Sequence, residues 1–202
     1  MSAAIVHIVD DDESFLRSMA RLLRVSGYKV RAFKSVDEFL AREDRQAPGC
    51  VVTDLNMPRR NGFDLQSALA SSDNPLPAVF ITGQGDIPSS VRAVRAGAED
   101  FLTKRSPKAQ LLSAVDRALE RDAAERAQRT LHLQVRSKLD ALTARERQVL
   151  DGVVRGLLNK QIGEELGIAE RTVKHHRTML TQKLGVQSAA ELALLVRDAG
   201  AV

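Results

Sequence analysis

Polar residues with catalytic chemistry stand where short apolar runs end. Asp10 and Asp11 follow IVHIV, Asp54 closes CVVTD, Thr82 closes AVFIT, and Lys104 closes DFLTK. Runs of this length bounded by turn signals have the character of buried strands. Carboxylates gathered at strand ends repel one another unless a cation is present, and an all-oxygen site that retains water suits Mg²⁺. Lys104 supplies the single positive side chain. Such a set has the chemistry of a phosphoryl acceptor. The Asp54 carboxylate attacks, Mg²⁺ and Lys104 neutralise the added oxygens, and the Thr82 hydroxyl donates to one of them, while Gly83 leaves room. Taken singly, each residue has a plainer reading, because an isolated aspartate after a strand is ordinarily a turn or helix cap. Their joint occurrence in order carries the inference.

These residues need a scaffold that brings strand ends together. Up to about residue 106, apolar runs alternate with helix-period segments. Ile5–Val9 ends at acids, Phe15, Met19 and Leu22 recur at helical spacing, and Gly27 supplies a left-handed stop. Tyr28–Phe33 is the second strand, and Ser35 with Glu38 forms a capping box before FLAR. CVVTD, AVFIT and DFLTK are further strands, with FDLQSALA and SVRAVRA as intervening helices. The pattern predicts an α/β domain with a five-stranded, doubly wound parallel sheet, in which ligands bind beyond the carboxyl ends of the strands.

From Lys108 to Asp151 there is neither glycine nor proline, and one long helix is expected. Its apolar stripe holds at Leu112, Val115 and Leu119, fades through ERDAAERAQR, and returns at Leu131, Val135, Leu139 and Leu142. The middle is an exposed linker or a weak coiled coil. Thr143 and Glu146 form another capping box, opening ARERQVLDGVV. KQIGEEL, ERTVKHHRTMLTQKL and SAAELALLVRD follow as helices separated by Gly156, Gly167 and GVQ, which suits a helix-turn-helix unit. The domains read as 1–120, a helical linker 121–138, and an all-α segment 139–202.

The set IVDDD, VVTDLNMPRRNG, FITGQGD and AGAEDFLTK resembles the receiver domain of bacterial two-component response regulators, whose fold is flavodoxin/CheY-like. The resemblance implies that Asp54 takes a phosphoryl group from a sensor histidine kinase, with Asp11, Asp54 and the Asn56 carbonyl as Mg²⁺ ligands and Asp10 assisting through water. Thr82 and Phe101 would be the switch pair, and Asp12 a neighbour rather than a ligand. Receivers usually carry proline directly after the lysine, whereas this chain reads Lys104, Arg105, Ser106, Pro107. A trans Lys104–Arg105 bond, or a strained exception, is therefore expected. Ser106 and Pro107 look like an N-cap and first helical position.

The stretch LTARERQVLDGVVRGLLNKQIGEELGIAERTVKHHRTMLTQKLGV resembles the LuxR-type helix-turn-helix of the NarL/FixJ response regulators, and TGQGD with the extended linker points to the FixJ-like branch. Those proteins bind double-stranded DNA as dimers, so inverted-repeat sites, a homodimer formed on phosphorylation, and contact with RNA polymerase are implied. With ~100° per residue, Val173, Leu180 and Leu184 share a core face, leaving Arg171, Lys174, His175, Thr178 and Gln182 opposite. The expected DNA contacts are Lys160, Arg171, Thr172, Lys174, His175, Arg177, Thr178 and Lys183, of which Lys160, Arg177 and Lys183 suit phosphates. His176 lies near the core edge, and Ala169 stands where this motif often has a serine cap.

Composition sets limits. Lys and Arg number 30 against 26 Asp and Glu, a net charge of +4 that does not by itself demand nucleic acid. Residues 139–202 hold nine basic and eight acidic side chains, so one such domain should bind DNA weakly. The lone Cys50 excludes a disulfide scaffold and cysteine-ligated zinc. No apolar stretch has membrane-span length, and a cytoplasmic location fits. Two other functions compete. A magnesium-dependent phosphohydrolase generally places a second acid two residues after its nucleophile, where this chain has Asn56. A DNA binder with a vestigial receiver is suggested only by the missing proline.

Overall fold

The computed structural model describes residues 4–198 apart from 43, 45, 46, 84–86 and 187, so part of the TGQGD stretch lies outside the described residues. The chain divides into two compact units, Met1–Glu125 and Arg126–Val202. In the first, β1 (Ile5–Val9), α1 (Glu13–Val25), β2 (Lys29–Phe33), α2 (Val36–Leu40), β3 (Gly49–Asp54), α3 (Gly62–Ala70), β4 (Ala78–Thr82), α4 (Ile87–Arg95) and β5 (Asp100–Thr103) alternate before α5 (Lys108–Asp140). The strands pair in parallel in the order β2-β1-β3-β4-β5. Strand order reverses at β1 and β3, and that is where an open α/β sheet forms its crevice.

Each face of the sheet has its own core. Val6, Ile8, Cys50, Val52, Val79 and Ile81 pack with Leu16, Met19 and Leu23 of α1 and with Leu111, Ala114, Val115 and Ala118 of α5. Val9, Val51 and Ala78 meet Phe39 of α2 and Leu65 and Leu69 of α3. Phe80 packs with Ala93 of α4. Burial on both faces explains why the strands read as continuous apolar runs rather than alternating ones.

Helix starts follow local polar chemistry, with two departures from expectation. Ser35 caps α2 by accepting the Glu38 N–H, but the Glu38 carboxylate accepts from Lys34 rather than closing the box on Ser35. Ser106 does not cap α5. Its hydroxyl oxygen accepts the Thr103 N–H at 3.0 Å, and its own N–H donates to the Thr103 carbonyl at 2.9 Å. The Pro107 carbonyl instead accepts the Gln110 and Leu111 N–H groups. No cis peptide bond occurs among the described residues, so Lys104–Arg105 is trans.

The first half of α5 belongs to the sheet, and that packing runs past the expected boundary at residue 120. Asp122 is 1% exposed, and its carboxylate accepts the Gly49 N–H at 2.8 Å. Leu131, expected on the returning stripe, is 58% exposed, and Leu133 is 68% exposed. The stripe returns at Val135 and Leu139, which pack into the core of the second unit. Between Asp122 and Val135 most side chains of α5 are exposed, with Glu125, Arg126 and Arg129 half-buried.

The second unit contains α6 (Ala144–Val154), α7 (Asn159–Leu166), α8 (Glu170–Leu184) and α9 (Ala189–Asp198) around Val149, Ile162, Val173, Leu180, Leu184 and Leu192. Thr143 and Glu146 form the expected capping box. Gly167 ends α7 in the left-handed conformation at φ 63°. A Cβ on Gly163 would come within 2.7 Å of the Ile168 carbonyl oxygen, so the turn requires glycine inside α7 as well as at its end.

One buried polar group stands apart. His7 on β1 is fully buried between Phe33 and Phe39, with ring centroids 5.8 and 5.5 Å away, and among the described residues neither ring nitrogen meets a hydrogen-bond partner. Burial, aided by the Arg42 charge, pulls its pKa from 6.5 to about 4. An unfolded His7 takes up its proton near pH 6.5, whereas the folded one resists until about 4. Its contribution to stability is therefore full above pH 6.5 and falls as pH drops toward 4, by about 3 kcal/mol. His7→Leu should flatten that part of the stability profile, as measured by urea unfolding across pH 4–7.

Candidate functional site

Parallel register places the acids side by side. Val9 of β1 pairs with Thr53 of β3, so the residues one step beyond, Asp10 and Asp54, face each other across neighbouring strand ends. Both are buried, while Asp11 is exposed at the rim. The carboxylates of Asp10, Asp11 and Asp54 offer oxygens that all lie within 4.8 Å of one another. From the end of β5, the Lys104 ammonium lies 2.8 Å from Asp10 and 3.1 Å from Asp54. Its backbone N–H donates to the Thr82 carbonyl at 2.8 Å, joining β5 to β4 at the same edge.

Charge in this cluster does not balance. Three carboxylates meet one ammonium, leaving two negative charges when all are ionised. Burial raises the Asp10 pKa above the ordinary carboxylate value despite the hydrogen bond from Lys104. For Lys104, burial opposes the charge, but the bonds to Asp10 and Asp54 outweigh it and its pKa lies above the usual lysine value. The donors are all hard oxygens, and the missing charge is that of one divalent cation. The residues therefore fit Mg²⁺ in both chemistry and charge.

The other residues named from the sequence occupy the following positions. Asn56 follows Asp54 closely, its N–H donating to the Asp54 carboxylate at 3.4 Å. Thr82 is fully buried. Thr82 pairs with Thr103 and Phe80 with Phe101, so Thr82 and Phe101 lie on one face of the sheet, on adjacent strands. Phe101 is half-buried, with its ring centroid 6.4 Å from that of Phe80. Asp12 is a cap: its carboxylate accepts the Ser14 and Phe15 N–H groups at the start of α1.

A positioning glycine went unread in the sequence. A Cβ on Gly62 would come within 2.7 Å of the Asp54 carbonyl oxygen and 2.6 Å of the Phe80 ring. The start of α3 packs this closely against the Asp54 backbone and Phe80 only because residue 62 has no side chain. Its available signal was a glycine directly after Asn61, which caps α3 in a full capping box with Asp64.

In the second unit, Arg171, Lys174, His175, Thr178 and Gln182 of α8 are exposed, opposite the buried Val173, Leu180 and Leu184. Lys160 is exposed on α7, Thr172 is half-buried, and His176 is half-buried at the core edge. Arg177 and Lys183 are tied to other helices. Arg177 donates to Asn159 at 2.7 Å, joining α8 to the start of α7. Lys183, expected on phosphate, is exposed and lies 2.8 Å from the buried Glu146 carboxylate of α6. Helical spacing reports which face a residue occupies but not which neighbouring helix supplies its partner. Ala169 precedes α8 in extended conformation and offers no side-chain cap.

A receiver fold with an acidic, lysine-bridged strand edge, followed by a helix-turn-helix unit, defines the class, and comparison with known proteins agrees. Residues 6–116 match the response regulator receiver domain family, and residues 140–196 match the luxR family of bacterial regulatory proteins. The chain belongs to the NarL/FixJ family of two-component response regulators, whose members are transcriptional regulators normally controlled by phosphorylation. It is 39% identical to the response regulator protein TodT of Pseudomonas putida over 190 residues, which cover 94% of this chain and 84% of that protein. It is 38% identical to the transcriptional regulatory protein FixJ of Rhizobium meliloti over 195 residues, 96% of each. Among solved structures, the response regulator StyR matches at a TM-score of 0.84 with 44% identity, covering 97% of this chain and 99% of that one. Full-length FixJ from B. japonicum matches at 0.59 with 30% identity over the whole of both chains.

The Glu146 and Lys183 pair yields a stability test. The Lys183 bond, with that of the Thr143 backbone, holds the Glu146 pKa down from 4.5 to about 2. The resulting stabilisation is present above pH 4.5 and is lost as pH falls toward 2. At pH 7, Lys183→Ala should destabilise the C-terminal unit by about 1–2 kcal/mol. Lys174→Ala, on the exposed face, should leave its thermal unfolding unchanged.

Proposed function

We propose that Asp54 is the phosphoacceptor of this regulator and that a sensor histidine kinase is the donor. The observation that carries the reading is the Lys104 ammonium spanning Asp10 and Asp54 beside a third carboxylate. An Asp54 oxygen attacks the phosphorus of the phosphohistidine, the P–N bond breaks, and the imidazole keeps the electron pair. Asp10, Asp11, Asp54 and the Asn56 carbonyl would hold Mg²⁺, which supplies charge neutralisation for the phosphoryl oxygens when bound. Lys104 meets one phosphoryl oxygen and the Thr82 hydroxyl donates to another. Drawing Thr82 toward the phosphoryl group opens space on the sheet face that Phe101 shares, so the ring turns inward.

That rearrangement promotes a homodimer through α4 and β5. Dimerisation raises the effective concentration of the second DNA-binding unit. The near-neutral charge of residues 139–202 makes such pairing necessary, and inverted-repeat DNA matches a twofold dimer. In the DNA complex, the exposed Arg171, Lys174, His175 and Thr178 face the major groove, with Thr172 at its edge and Lys160 on phosphate. Arg177 fixes α8 against Asn159, and the exposed Lys183, beside Glu146, meets a phosphate. Transcriptional control through RNA polymerase in the cytoplasm completes the reading. Neither competitor is favoured: Asn56 offers a phosphohydrolase no second acid, and the Lys104 bridge supports a working receiver rather than a vestigial one.

Asp54→Asn should abolish labelling by acetyl phosphate, and chelation of Mg²⁺ should do the same to the unaltered protein; a phosphate-affinity gel reads both. In a salt-controlled binding titration, Lys174→Ala should weaken specific binding by about 1–3 kcal/mol and relax discrimination at one base position. Equal loss on specific and random DNA would instead make Lys174 a phosphate contact.

A further inference from the structure

Lys104 lacks the proline that ordinarily follows the receiver lysine, yet its ammonium is closely placed, and the surrounding contacts show what places it. At the backbone, Thr103 and Ser106 bond reciprocally, the Thr103 N–H to the Ser106 hydroxyl oxygen and the Ser106 N–H to the Thr103 carbonyl. This closes a tight turn with Lys104 and Arg105 at its centre. At the tip, the Lys104 nitrogen lies 4.4 Å from the centroid of the Phe15 ring, within cation–π range. Phe15 is itself fixed to the site: its N–H donates to the Asp12 carboxylate at 3.1 Å, and the Asp12 N–H donates to Asp10 at 2.9 Å. The first turn of α1, the Asp10 carboxylate and the Lys104 ammonium are thus mutually located.

We propose that Phe15 and Ser106 are positioning residues that hold the Lys104 ammonium over Asp54, a role that rests on the phosphoacceptor reading. A lysine stem has several free rotors, and two carboxylates alone would let the ammonium shift between them. The ring gives the ammonium a third, uncharged neighbour, and the Ser106 staple fixes the point from which the stem departs. Phosphorylation depends on this placement because the ammonium must meet an oxygen that arrives only with the donor.

The test uses the full chain and acetyl phosphate, a donor too small to touch α1 as a kinase would. Phe15→Leu keeps the apolar packing of Phe15 against the α1 and α5 core but removes the ring. It should slow labelling roughly 2- to 30-fold. Beryllofluoride affinity should weaken in parallel, while Mg²⁺ affinity stays unchanged. Phe15→Tyr should restore both, and Ser106→Ala should shift labelling in the same direction as Phe15→Leu. By NMR, the Lys104 ε-methylene protons should show an upfield ring-current shift in the unaltered protein and in Phe15→Tyr, lost in Phe15→Leu. Unaltered labelling in Phe15→Leu, or an equal loss of Mg²⁺ affinity, overturns the proposal, as does an absent ring-current shift in the unaltered protein. If the unaltered protein shows that shift but takes no label, the phosphoacceptor reading fails while the placement of Lys104 by Phe15 stands.

Discussion

One ammonium group shared by two buried carboxylates is the constraint around which the first unit is arranged. Asp10 and Asp54 can be neighbours only because β1 and β3 are adjacent and parallel, and Lys104 can reach both only because β5 ends at the same edge. Like charges this close are unfavourable without compensation. The sheet order and the bond from the Asp12 N–H to the Asp10 carboxylate hold these groups together rather than letting them relax apart. Stability is spent there on a site with two unmatched negative charges, and its apolar layers above and below supply the compensating burial.

Much of this was legible in the sequence, for physical reasons. Strands buried on both faces are continuous apolar runs, so Asp10, Asp54, Thr82 and Lys104 were marked as strand ends by the sudden change of polarity. The turn of the helix likewise separated Val173, Leu180 and Leu184 from Arg171, Lys174 and Thr178. What stayed hidden were contacts between residues distant in the chain. Lys183 reads like any solvated lysine until α6 brings Glu146 to it, 37 positions away. Ser106 before proline has every local mark of a helix cap, yet the end of β5 claims its hydroxyl. Asp122 falls in a run of charges and alanines that looks wholly exposed, and nothing local shows that its carboxylate is buried.

The two ends of α8 are secured differently. Its last turn is tied by Lys183 to Glu146, and its C-terminus closes on Gly185 in left-handed conformation. At its start there is no side-chain cap, and the first turn is held by the fully buried Val173, with Arg177 on Asn159 one turn further on. Arg171 and Lys174 flank Val173 with their side chains exposed, so they can adapt to a groove while the helix that carries them stays part of the core.

The bond from Gly49 to Asp122 has a consequence for the order of folding. It closes a loop of 73 residues and joins the start of β3 to a helix made after every strand of the sheet. The same helix supplies Leu111, Ala114, Val115 and Ala118 to one face of the core. Contacts of such long sequence separation form late, because the chain entropy of closure must be met before they stabilise anything. During synthesis, therefore, the strands emerge with this face covered by α1 alone and the Asp122 partner of the Gly49 N–H still to be made, and the first unit can close only after the ribosome has passed Asp122.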